Sequence, residues 1–174
     1  MMKKDVRLYN VLFPIWILIL FPQVLIFLIP GNLVIDCLVL CFTLCALKHT
    51  QKGKVIKELW WKFWLLGFAA DGVGVAWIIL SLLPAAGPWG GGNASPFVEW
   101  WENTMLGSHM LRPWTHPLTF CWTLAGVAIA GVCIYLFDKR AMRKCSLLSD
   151  GEKHIVALTM AVVTAPWLFF LPLY

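Results

Sequence analysis

The sequence predicts an all-α fold: a polytopic membrane bundle of five transmembrane helices, with one short interfacial helix in a long outer loop. Three observations carry this. Hydrophobic residues make up 60% of the 174 residues and charged residues 13%, with a mean hydropathy of +0.77; soluble domains run about 45–50% apolar. The apolar residues fall into long runs, and about 20 of them cross a hydrocarbon core of roughly 30 Å as a helix. The Lys and Arg residues collect between these runs. A lone strand in lipid would leave its backbone groups unpaired, whereas a helix satisfies them internally. The length suits one integral domain over 1–174, with spans expected at 8–29, 33–47, 62–83, 118–137 and 155–172.

The first span follows a charged start. Its apolar run is too long for a cleavable signal and lacks a small-residue cleavage site. Pro14 and Pro22 each remove a backbone donor and are expected to kink it. Gln23 is its one strongly polar interior residue and a candidate site residue. Pro30-Gly31-Asn32 reads as a tight turn, so that spans one and two form a helical hairpin. Asp36 then falls one turn into span two, near the outer surface, where it caps the helix start or reaches water. Cys37, Cys41 and Cys45 line one face of that span, read as small buried hydrophobes.

Lys48, Lys52, Lys54, Lys57 and Lys62 form the first basic loop, whose end, with Val55, Ile56, Leu59 and Trp60, is expected to lie on the inner leaflet. Span three carries Asp71 near its middle, roughly 17 Å from either end at ~1.5 Å per residue. An aspartate there costs about 2.5–3.5 kcal/mol on insertion scales, so it turns inward. Gly67, Ala70, Asp71 and Gly74 share one face, and small residues let a second backbone approach. Asp71 either handles a proton or cation, or bonds a neighbour and fastens two helices.

The long connection to span four is flexible at PAAGPWGGGN. Ser95-Pro96 reads as N-cap and first helical residue of a short interfacial helix over 97–106. Glu99, Glu102 and Asn103 share one face of it; Phe97, Trp100, Trp101 and Met105 share the other. Glu99, Glu102, His109, Arg112 and His116 are the outer-loop candidates, able to bind an anionic group or do chemistry. No established zinc spacing appears, so no metal ligand is assigned. Span four, rich in Ala and Gly from Ala125 to Gly131, is the natural partner for the Asp71 face. A second basic loop runs from Asp138 to Lys153, and Ser149-Asp150-Gly151-Glu152 marks the start of the last helix.

Every Lys and Arg except Arg112 falls at the N-terminus or in the two basic loops, which places the N-terminus inside and the C-terminus outside a cytoplasmic membrane. The formal charge of +5 follows this topology pattern and points to no nucleic acid. Many of the eleven Trp residues fall at span ends, where indoles favour the interface. Six Cys, none in the outer loop, imply no disulfide framework. CxxC, HExxH, GxSxG and P-loop patterns are absent. The reading is a transport-related or accessory membrane subunit, leaning away from an enzyme, without cofactor or assigned catalytic residue. Its partners are the lipid bilayer and a second copy or another membrane subunit. The alternative is a small intramembrane enzyme acting on a lipid or isoprenoid at the outer leaflet. A structural or immunity-type protein is the third.

Overall fold

The computed structural model describes residues 22–86, 95–106 and 112–170, with only the backbone described for 22–28, 85 and 86. The described residues are helical and contain no strand. The elements are α1 (Pro22–Ala46), α2 (Lys52–Ile79), a 3-10 turn Leu80–Leu82, α3 (Leu83–Ala86), α4 (Pro96–Met105), a 3-10 turn Pro113–Thr115, α5 (Pro117–Ala141), a 3-10 turn Met142–Lys144, α6 (Asp150–Val163) and a closing 3-10 turn Trp167–Phe170.

Four segments are long and apolar enough to cross a membrane: Ile29–Ala46, Lys52–Leu82, Pro117–Lys144 and Asp150–Phe170. The expected first span differs. Residues 8–21, including Pro14, lie outside the described residues, and the turn at 30–32 is not formed. Instead α1 runs unbroken through Pro30. A turn there would open several backbone groups at once, whereas a proline inside an apolar helix removes one donor and is tolerated where neighbours compensate. Next to the proline, Trp64 Nε1–H donates to the Ile29 carbonyl at 3.1 Å and ties α2 to α1.

The first basic loop also differs. Lys52, Lys54, Lys57 and Lys62 belong to α2 itself, which begins ten residues ahead of the expected span. The amphipathic end does not lie on a leaflet, because Val55 and Leu59 are wholly buried in the bundle. They pack with Leu44, Phe63, Met142, Cys145, Leu148 and Val156 into the main apolar core.

The connector between α1 and α2 is short. Lys48 ends α1 with φ 53°, the left-handed cap conformation usually given to glycine. The His49 amide reaches back to the Leu44 carbonyl at 3.0 Å. His49 also joins the two basic connectors. Its Nδ1 accepts from the Gln51 amide at 3.1 Å, which leaves Nε2–H to donate to the Leu147 carbonyl at 2.9 Å.

α5 is fixed at its start by Pro117 in the first turn and by His116, whose Nδ1 accepts from the Leu118 amide at 3.2 Å. α6 begins with a full capping box: Ser149 Oγ accepts from the Glu152 amide, and the Glu152 carboxylate accepts from the Ser149 amide at 2.8 Å. Ser149→Ala is expected to cost about 1 kcal/mol, read as an earlier thermal unfolding midpoint in detergent, with Ser149→Gly milder. Thr164-Ala165-Pro166 stops α6, so the last expected span is a helix followed by a 3-10 turn.

The helices close a ring. α1 packs on α2, α2 on α5, α5 on α6, and α6 returns to α1. The connectors 47–51 and 142–149 lie at one end of this ring, and the described residues 80–86, 95–106 and 112–116 at the other. The α2–α5 seam follows the expected small-residue face. A Cβ placed on Gly74 would meet Ala130 Cβ at 3.1 Å and the Gly126 carbonyl at 3.2 Å. Leu65 and Ile79, on the other side of α2, are exposed.

Candidate functional site: three carboxylates inside the helix ring

Each of three helices carries an apolar stripe that ends on, or includes, an aspartate. On α1 the buried residues are Asp36, Leu40, Thr43 and Leu44. On α5 they include Gly126, Ala130, Ile134 and Asp138, spaced by one turn. On α2 the face of Ala70 and Gly74 carries Asp71, half-buried.

The structure brings the three acids together. Asp36 is mid-helix and only 9% exposed, so it neither caps a helix start nor reaches bulk water at the surface. Its Oδ2 stands 3.7 Å from the position a Gly67 Cβ would take, which seats it against α2 one turn from Asp71. The expectation that Asp36 and Asp71 sit at separate depths is therefore corrected: α1 continues through Pro30 and carries Asp36 further into the bundle. Asp138 is the third. It was expected in a solvated basic loop, but α5 extends to Ala141 and buries it to 1% exposure. Gly67 and Asp138 lie at matching levels, about 10 and 12 Å along their helices from the Gly74–Ala130 contact at ~1.5 Å per residue.

No counter-charge meets them. Asp71 Oδ1 and both oxygens of Asp138 are buried without a hydrogen-bond partner among the described residues. An ionised carboxylate in that setting costs several kcal/mol unless it is neutralised. The fourth helix answers only with apolar groups, Val156, Ala157, Met160 and Ala161. No set of three or more His, Cys, Asp and Glu side chains among the described residues converges to hold a metal ion. The three acids lie within about one helical turn of one another in depth, on helices that pack together. That geometry suits protons.

Gln23 is backbone only in the described structure, in the first turn of α1. The outer-loop candidates are placed as follows. The interfacial helix forms as α4 with Ser95 as its cap, the side chain accepting from the Val98 amide. Its buried face is Val98, Thr104 and Met105, while Phe97 and Trp100 are exposed, so the expected aromatic face is turned partly outward. The reason is packing on α5: Thr119 Oγ1 donates to the Thr104 carbonyl at 2.9 Å, and the Trp101 indole meets Trp122 edge-on at 5.9 Å. Glu99 is exposed, Glu102 half-buried and Arg112 exposed. His116 is engaged as the α5 cap. His109 lies outside the described residues.

The tryptophans do more than mark interfaces. Trp77 stacks on Trp122 at 4.6 Å, its Nε1–H donating to the Trp122 carbonyl at 3.1 Å. Trp101 Nε1–H donates to the Ser81 carbonyl at 2.7 Å. These indoles join α2, α4 and α5 at the end opposite the basic connectors. The cysteines form no disulfide; Cys45 accepts from Lys52 Nζ at 3.3 Å, and buried Cys145 reaches Glu58 at 3.7 Å.

Among the described residues the chain is all-helical, with four helices long and apolar enough to cross a membrane. No family model matches it, and neither a curated protein nor a solved structure is similar to it.

Proposed function

We propose that this is an integral protein of a cytoplasmic membrane whose buried aspartates take up and release protons, in a transport-related or accessory role. The observation that carries the reading is Asp138: an acid at 1% exposure with both oxygens unpartnered among the described residues. Such a group is costly to keep unless its charge state is used.

In this reading the two basic connectors face the cytoplasm. α1 alone is about 37 Å long at ~1.5 Å per residue, so its start faces the opposite side. Exposed Val34, Ile35, Leu38 and Phe42 on the outside of α1 meet acyl chains or a companion subunit.

The test is proton flux. Purified protein is reconstituted in vesicles that enclose a pH-sensitive dye, and a potassium diffusion potential drives proton entry. The expected result is flux that falls at least tenfold in Asp138→Asn and in Asp36→Asn, with helicity retained. Flux equal to that of empty vesicles, or unchanged in both variants, sinks the reading. The enzyme alternative rests on Glu99, Glu102, His109 and His116, of which His109 lies outside the described residues, and is favoured by no contact described above.

A further inference from the structure

A groove of about 730 Å³ opens between α2 and α5 at the basic end. This is within the usual range of ligand sites, about 300–1,000 Å³. Its rim holds four cations: Lys62 from α2, Arg140 from α5, and Arg143 and Lys144 from the turn that follows. No acid lines it. None of the four is in an ion pair among the described residues, where Lys153 pairs with Asp150. Arg140, Arg143 and Lys144 are exposed.

The wall below the cations is apolar. Leu65, Leu66 and Phe137 continue the groove towards the middle of the bundle, and Leu65 is 56% exposed. Trp61 flanks it, 49% exposed, with Lys62 Nζ 5.9 Å over its ring. Indole rings settle at headgroup level, and Lys side chains reach along apolar surface to the same level. The groove thus offers positive charge where a headgroup phosphate lies, and hydrocarbon contact where its acyl chains run.

We infer that this groove is a binding site for one anionic phospholipid of the leaflet at the basic end. A topology signal needs basic residues near span ends, but does not need them around one concavity with an apolar wall. A peptide or nucleic acid would supply the charge, but has no use for the Leu65–Phe137 wall at membrane depth. The inference rests on the membrane placement of the proposed function, but not on proton handling by the aspartates.

The experiment uses the full chain in phosphatidylcholine vesicles doped with acyl-brominated phosphatidylglycerol, or with acyl-brominated phosphatidylcholine as the reference. Bromine quenches nearby indoles, and the difference between wild type and Trp61→Phe isolates the groove. The expected result is stronger quenching of Trp61 by the anionic lipid, weakened by salt. Each cation near a membrane surface contributes about a fivefold preference. Arg140→Gln with Arg143→Gln and Lys144→Gln is therefore expected to lower the preference about 100-fold. The double variant Arg143→Gln with Lys144→Gln leaves α5 intact and is expected to lose about 25-fold. Lys48→Gln with Lys52→Gln and Lys54→Gln removes equal charge outside the groove. A loss there as large as in the groove variants overturns the site, because the attraction is then diffuse. Equal quenching of Trp61 by both lipids also overturns it.

Discussion

Asp138→Leu is expected to make the protein more stable and inactive in proton movement. Leucine has the same branched skeleton as aspartate, with two methyls in place of two oxygens. One turn away on the same buried face of α5 stands the apolar Ile134. Removing a buried polar group that has no partner returns its desolvation penalty, about 1–3 kcal/mol and more if it is charged. Both Asp138 oxygens are in that state. The expected outcome is a later thermal unfolding midpoint in detergent together with flux at the level of empty vesicles. A group kept at a cost to stability and needed for activity shows this opposition. If Asp138→Leu is instead destabilised, the carboxyl group has a bonded partner and the electrostatic picture of the site is wrong.

The second large effect is steric. Gly74→Leu is expected to destabilise the bundle by about 3 kcal/mol or more, since even single added methylenes in a packed core cost about 1–3 kcal/mol. The added Cβ alone would stand 3.1 Å from Ala130 Cβ and 3.2 Å from the Gly126 carbonyl, with the Phe169 ring at 3.4 Å. A backbone carbonyl cannot rotate aside as a side chain can. Gly126→Leu, facing Trp77 at 3.2 Å, is expected to behave alike. Gly72→Leu is the control, because nothing lies within 4 Å of its Cβ position. Unfolding titrations that rank all three equally would remove the claim that α2 and α5 meet through glycine.

Much of this was legible from residue types. The i, i+3, i+4 spacing of Gly67, Ala70, Asp71 and Gly74 marks a close-packing face, and the Ala/Gly run of α5 is what it packs on. Ser95 and Ser149 were recognisable as caps because their hydroxyls have one local use. What failed were the ends and the punctuation. Pro30-Gly31-Asn32 is a turn signal in water, but in an apolar helix the backbone gains more by staying paired. That one error displaced Asp36. Lys52 to Lys62 looked like loop because of their charge, yet long basic side chains extend from a helix whose other face carries Val55, Leu59 and Phe63. Asp138 was missed for a related reason: it sits next to Lys139 and Arg140 in sequence. The available signal was the four-residue step from Gly126 through Ala130 and Ile134, which lands on it. Convergence of three acids from three helices was not readable, because it depends on the register between helices.

The placement of the connectors divides the molecule in a way with consequences for how it assembles. Two helical hairpins, α1–α2 and α5–α6, are each closed by a few residues at the basic end. They are joined only through the segment 80–116, and lengthening a tether of that size adds little entropic cost. Each hairpin holds part of the acidic cluster, Asp36 and Asp71 on one and Asp138 on the other, so neither half possesses it before docking. Docking of the two hairpins is therefore the step expected to complete the burial of Asp138.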